Sequence, residues 1–287
     1  MNYSYYPGCS LSGTALDYDR SVRAVCARLG LGLVDIPDWN CCGASSAHMT
    51  SHEIGMRLPL RNLLLAAELG HDVLVPCAAC FQRLKAAERA LRADPGYWDV
   101  PADLPEFRIV HISSLLSEPQ HLASLGEQVR LPLEGLSLAC YYGCLSLRHP
   151  KITEARNYEQ PRALDNIVGA LGAAAVSWSH RTECCSGSLT MARPDIAEAL
   201  VGDIVAAARR AGAQALVTDC PMCQANVESR QRHSATQPGL PVFFATELIV
   251  AALDGSYPAS QGRLHLVSTQ VLSNVVNRAA EQREEAA

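Results

Sequence analysis

The N-terminal stretch Met1–Gly8 lacks both the basic flank and the apolar core of a secretory signal, so the sequence predicts a cytoplasmic protein. A membrane-spanning run is also missing. The most apolar stretch near the end, Leu240–Leu253, is broken by Glu247 and is too short to cross a bilayer. No cluster of lysine and arginine occurs, and 24 basic residues are outnumbered by 29 acidic ones for a formal net charge of −5. Nucleic acid is therefore excluded as a main partner. Charged residues reach only 18% against 48% hydrophobic over 287 residues, enough apolar material for two modest domains or one large one.

Cysteine, in contrast, is abundant, with twelve in the chain. In a secreted protein an even number would point to disulfides. In a reducing compartment, clustered cysteines instead bind metal or carry out redox chemistry. Their order separates two sets. The first is Cys9, Cys41-Cys42 and Cys77-x-x-Cys80; the second is Cys144, Cys184-Cys185 and Cys220-x-x-Cys223. Cys77 follows Cys42 by 35 residues, and Cys220 follows Cys185 by the same 35. The flanks agree: Tyr5-Tyr6-Pro7-Gly8-Cys9 is similar to Cys140-Tyr141-Tyr142-Gly143-Cys144, and Val73–Cys77 to Ala215–Cys220. Duplication of a whole unit is the simplest account.

Short strands are predicted at Asn2–Tyr6 and Leu136–Tyr142, at Gly32–Ile36 and Ala174–Trp178, at Asp72–Val75 and Ala215–Thr218, and at Arg108–Ile112 and Val242–Ala245. Helices are predicted over Thr14–Leu29 and Pro161–Leu171, His52–Leu69 and Pro194–Ala211, and Phe81–Arg92 and Gln224–His233, with Gly30, Gly172, Gly70 and Gly212 closing the first four. Arg193-Pro194-Asp195 reads as a helix start. The expected fold is α/β: two tandem repeats, each a small, mostly parallel sheet flanked by helices. Ligands of such sheets gather beyond the carboxyl ends of the strands, where all three cysteine groups of each set fall. Asp94–Glu106 reads as a loop, Ser117–Glu134 holds the boundary between halves, and Gly255–Gly262 leads to an amphipathic helix at Leu266–Ala280 that packs on the domain. The division is 1–128, 129–257 and a linker with C-terminal helix at 258–287.

A structural zinc site uses four ligands, so five cysteines per set, two of them adjacent, fit it poorly. Thiolate-rich sites in reducing compartments favour iron–sulfur clusters. A cubane needs four thiolates, so a fifth points to unusual geometry or an exchanging ligand. The ferredoxin run C-x-x-C-x-x-C-x-x-x-C-P is absent, which leaves electron entry to a partner protein or another cofactor. Cys26 and Cys140 read as buried core thiols, Cys140 with a second reading as substitute ligand. His48, His52 and His180 read as surface residues near the paired cysteines, Gly43 and Gly187 as turn residues, and Asp219 as orienting the Cys220 turn.

Cysteine, Cys-Cys-Gly and C-x-x-C, given twice, resembles the CCG-domain proteins, above all the B subunit of heterodisulfide reductase, over about Asn2 to Ala252. The resemblance implies one noncubane 4Fe–4S cluster on Cys9, Cys41, Cys42, Cys77 and Cys80, and a second on Cys144, Cys184, Cys185, Cys220 and Cys223. Two such sites suit two-electron disulfide cleavage or formation, with Cys9, Cys41, Cys144 and Cys184 at the reacting end and Tyr141 as proton donor. Two departures stand out. The methanogen pattern H-Y-G-C-H reads Tyr141-Tyr142-Gly143-Cys144-Leu145 here, and the second pair reads Cys184-Cys185-Ser186-Gly187. These are more similar to the bacterial heterodisulfide reductase-like complexes of sulfur oxidisers, which act on protein-borne, lipoyl-bound sulfur. Implied partners are the ferredoxin-like and FAD-binding subunits of such a complex and a lipoate-carrying protein. Two other readings stay open: a subunit passing electrons to quinone in a succinate- or glycolate-type dehydrogenase, and a zinc-stapled interaction module.

Overall fold

The computed structural model describes residues 1–100, 105–231 and 238–286. Part of the predicted loop 94–106, the end of the predicted helix 224–233 and the last residue of the 258–287 segment lie outside the described residues.

The first half runs β1 (Asn2–Tyr5), α1 (Gly8–Leu11), α2 (Leu16–Arg28), β2 (Gly32–Asp35), α3 (Ala47–Thr50), α4 (His52–Leu69), β3 (Val73–Val75), α5 (Ala78–Ala93), β4 (Ile109–His111), α6 (Ile112–Leu116) and α7 (Pro119–Gln128). The second half runs β5 (Ser137–Cys140), α8 (Pro150–Thr153), α9 (Ala163–Ala170), β6 (Ala174–Ala175), α10 (Pro194–Arg210), β7 (Ala215–Thr218), α11 (Pro221–Gln231), β8 (Val242–Phe244) and α12 (Ala245–Asp254). A short α13 (Ala259–Gly262) leads to α14 (Gln270–Ala286). The two four-stranded sheets have matching orders, β2-β1-β3-β4 and β6-β5-β7-β8, and every pairing is parallel. Tyr5 pairs with Leu74 and Cys140 with Val217. This register makes Cys140 the counterpart of Tyr5 and Tyr141 the counterpart of Tyr6.

The predicted repeats are present with adjusted ends. Gly30, Gly70, Gly172 and Gly212 all have left-handed backbone where a helix ends, which glycine adopts without steric cost. Pro194 occupies the first turn of α10. Ala174–Trp178 was expected as one strand, but β6 stops at Ala175. The Trp178 indole then donates to the Cys140 carbonyl at 3.1 Å, where a longer strand would have bonded through its backbone. The predicted boundary segment is no free linker: it contains α7, and both Arg130 and Leu131 donate their N–H to the Ala252 carbonyl at the end of α12.

The halves exchange helices. α2 packs on α12, and α9 on α6 and α7. Tyr18 stacks on Phe244 at 4.0 Å, Ser21 bonds Thr246 at 2.7 Å, and one continuous apolar core runs through both halves. The C-terminal helix joins that core through Leu272, Val275 and Val276. No helix among the described residues is long and apolar enough to cross a membrane.

Candidate metal centre

Because every strand in a half points the same way, the loops after β1, β2 and β3 emerge at one edge and bring five cysteines together. In the first set the exposed Cys9 and Cys41 sulfurs lie 3.7 Å apart, and the buried Cys42 and Cys80 sulfurs 3.3 Å apart, with Cys77 buried beside them. The second set repeats this. Cys144 and Cys184 form the outer pair at 3.6 Å, Cys185 and Cys223 the inner pair at 3.7 Å, and Cys220 is buried. Each set has an open rim and a closed floor. All twelve cysteines are free thiols.

The supports match as well. Tyr6 donates its hydroxyl to the Asn40 carbonyl at 2.7 Å, and Tyr141 to the Glu183 carbonyl at 2.8 Å. Asn40 and Glu183 are the residues just before Cys41 and Cys184, so each tyrosine pins a paired-cysteine loop. An indole lies against each tyrosine: Trp39 edge-on to Tyr6 at 5.6 Å and Trp178 tilted against Tyr141 at 6.1 Å. Gly8 and Gly143 turn the chain into Cys9 and Cys144 with φ of 71° and 62°. A Cβ there would stand 2.8 Å from Cys80 Sγ and 3.0 Å from Cys223 Sγ. After the first pair, Gly43 takes left-handed backbone at φ 74°; after the second, Ser186 takes it at φ 61° and Gly187 starts a 3₁₀ turn. The expected turn role at Gly187 has moved one residue back.

Thiol crowding sets the electrostatics. Hydrogen bonding from Cys41, then Cys80, pulls Cys42 down to about 3, and Cys144 brings Cys184 down to about 6. Cys77 is held well below the ordinary thiol value, first by Cys220 across the boundary between halves. Cys80 is pushed up, first by Cys42 and then by Cys77, and Cys223 likewise, first by Cys185 and then by Cys220. Thiolates stabilised by their neighbours are the metal-ligating form of cysteine. An all-sulfur donor set of five, on turns where even a methyl group would crowd the floor sulfurs, fits an iron–sulfur cluster. It exceeds the four ligands of zinc.

A pocket of about 170 Å³ opens beside the second set, between the halves. Cys144, Cys184, Leu145 and Met222 line one side; Arg83, Gln82 and His48 come from the first half. Arg83 is in no ion pair among the described residues, and its charge helps hold Cys42 low. Sequence reasoning did not single it out. It also missed His111, the last residue of β4, at the strand edge where sites gather. The His111 ring is 3.5 Å from the Asp219 carboxylate, 2.9 Å from Ser113 and edge-on to Phe81 at 5.3 Å, so it lies against the residues next to Cys220 and Cys80, all of them buried. Tyr18 closes this centre, donating to the carbonyls of Pro76 and Asp219, which precede Cys77 and Cys220. Cys26 and Cys140 are fully buried. Tyr142 bonds Asp165, itself paired with Arg181, behind the second set. His52 is exposed and His180 bonds Ser179.

Fold and thiol sets together define an iron–sulfur redox subunit. The chain belongs to the CCG family, described as a cysteine-rich domain, whose model matches residues 3–85 and 138–228. It is 30% identical, over 88% of its length and 92% of the relative's, to the 8-methylmenaquinol:fumarate reductase membrane anchor subunit of Wolinella succinogenes. It is 25% identical, over 87% of its length and 88% of the relative's, to the B subunit of the ferredoxin:CoB-CoM heterodisulfide reductase of Methanosarcina mazei. A crystal structure of a hypothetical protein from Helicobacter pylori shares the fold, with a TM-score of 0.72 and 11% identity over 93% of this chain; the chain spans 52% of that structure.

Proposed function

We propose that the two five-cysteine sets each hold one noncubane 4Fe–4S cluster, and that the chain serves a cytoplasmic multi-subunit oxidoreductase acting on a disulfide or the matching dithiol. The observation that carries this reading is the pair of matching five-thiol sets, 3.3–3.7 Å between paired sulfurs in each, joined where Tyr18 bonds the carbonyls just before Cys77 and Cys220. Each bound cluster supplies one-electron redox capacity, so the pair matches a two-electron reaction. Disulfide, two electrons and two protons give two thiols; the reverse releases both electrons to partner subunits, one ferredoxin-like and one FAD-binding.

The chain's own residues account for the rest. Cys144 and Cys184 line the pocket, while Leu145, Met222, Ala78 and Ala79 keep part of its wall apolar. A pocket this narrow admits a slender carbon arm such as a protein-borne lipoyl group. Tyr6 and Tyr141 hold the paired-cysteine loops in place, with their hydroxyl protons already donated to backbone. That arrangement favours a positioning role for Tyr141 over proton donation.

The test is Cys41→Ser, prepared anaerobically. Expected are iron and acid-labile sulfide for one site only, and loss of two-electron turnover of dithiol substrates. Substantial retained turnover sinks the proposal. A second reading, electron transfer with quinone, is favoured by the likeness to the Wolinella succinogenes protein. Reduction of the holoprotein by a menaquinol analogue but not by dithiols would select it.

A further inference from the structure

Away from the thiols, a second polar cluster is enclosed where α2, α11, α12 and the segment before α14 meet. The fully buried His265 side chain lies between two carboxylates, with Nδ1 2.8 Å from Glu228 Oε1 and Nε2 3.2 Å from Glu247 Oε1. Glu228 is saturated, since it also accepts the N–H groups of Val242 at 3.0 Å and Leu266 at 2.7 Å. Glu247 uses Oε2 to cap α12 through the Phe244 N–H at 2.8 Å, which leaves Oε1 facing the ring. Asp17, in the first turn of α2, completes the group. One donor atom each from Asp17, Glu247 and His265 lies within 4.8 Å of the others.

An independent observation points into the same space. Tyr257 is 8% exposed, and its hydroxyl makes no hydrogen bond of normal geometry, with Thr269 its polar neighbour in electrostatic terms. Its ring packs edge-on to Phe243, which packs on His265. Burial and then the charge of Glu247 raise this phenol's pKa, with Asp17 and Glu228 adding to them and Thr269 opposing. Among the described residues, no lysine or arginine pairs with any of the three acids. One imidazolium facing three carboxylates leaves net negative charge in a closed site, which is costly. Burial raises the carboxyls of Asp17 and Glu247. At His265 the opposing effect of burial is outweighed by Glu228 and Glu247, which lift it to about 10.

We propose that Asp17, Glu247 Oε1 and His265 Nε2, with the Tyr257 hydroxyl as fourth donor, bind one divalent transition ion of zinc's kind, at a site separate from the thiol sets. Imidazole with carboxylates is a donor set that such ions take. A histidine whose Nδ1–H is donated to a carboxylate is oriented for metal at Nε2, and Glu228 provides that partner. Binding releases the Nε2 proton to solvent, so the ion's two charges replace the imidazolium's one. The ion would tie the segment carrying His265, and with it α14, to α2 of the first half and α12 of the second.

The experiment uses anaerobic holoprotein with its iron sites loaded, given zinc alone and then desalted. Elemental analysis and zinc-edge X-ray absorption are the readouts. The expected result is one retained zinc per chain with nitrogen and oxygen ligands near ~2.0–2.1 Å and no sulfur shell near ~2.3 Å. Asp17→Asn should weaken zinc binding at least ~10-fold with iron content unchanged. No retained zinc, zinc ligated by sulfur, or full retention in Asp17→Asn would overturn the proposal and leave an ionic staple only. The wild-type edge spectrum decides even if the variant does not fold.

Discussion

Tyr6 and Tyr141 do the same work through different sequence neighbours. Each spends its hydroxyl on the residue before a cysteine pair. Tyr141→Phe should therefore cost about 0.5–1.5 kcal/mol of stability, read by chemical denaturation, while the protein keeps its iron. Gly143→Ala should do the opposite. Left-handed backbone at φ 62° costs an L side chain about 1–2 kcal/mol, and the new methyl carbon would meet Cys223 Sγ. Iron and sulfide should fall to the amount of a single site. At this scale the cysteines were readable because thiol spacing survives duplication. The equivalence of Tyr6 with Tyr141 follows from the aligned flanks of Cys9 and Cys144, and strand register, through Tyr5–Leu74 and Cys140–Val217, agrees with it; the carbonyl that each hydroxyl takes does not show in the flanks. Arg83 and His111 were missed because neither belongs to a motif; only folding brings them to the thiols.

Strand ends aim the cysteines, and helices lock the loops that follow. α4 does this through Asn62, which is fully buried. Its Oδ1 accepts the Asn40 N–H and its amide donates to the Asn40 carbonyl, both at 2.8 Å. Asn62→Ala leaves the Asn40 N–H unpaired, at about 1–3 kcal/mol, while the carbonyl keeps the Tyr6 hydroxyl. The variant should lose iron from the first site faster than from the second in a chelator time course. Helix and strand order was legible because apolar periodicity and closing glycines mark it. The early end of β6 was not, because a side chain rather than a turn residue ends that strand: the Trp178 indole takes the Cys140 carbonyl. Ser186 carries the left-handed turn that Gly187 was expected to make, a position where local hydrogen bonding and neighbouring loops outweigh intrinsic preference.

Two repeats share one interior here. Tyr18 on Phe244, Ser21 on Thr246 and the reciprocal seating of α2 on α12 and α9 on α6 and α7 run the larger core through both halves, beside a smaller cluster lying mostly in the second. Unfolding of the holoprotein should appear as one cooperative transition by circular dichroism and by loss of cluster absorbance; two separated transitions would contradict the shared core. The duplication itself could be read from the matched 35-residue spacing. The exchange of helices could not, since periodicity tells which face of a helix is apolar and not which neighbour covers it. The aromatic pairs Trp39–Tyr6 and Trp178–Tyr141 equip each half with its own lamp. A coloured inorganic centre beside either indole dims its emission by energy transfer, while Trp98 sits apart with Tyr97 and Arg57. Fluorescence of the Trp39→Phe and Trp178→Phe proteins thus follows the filling of the thiol sets, without breaking open the sample to count metal.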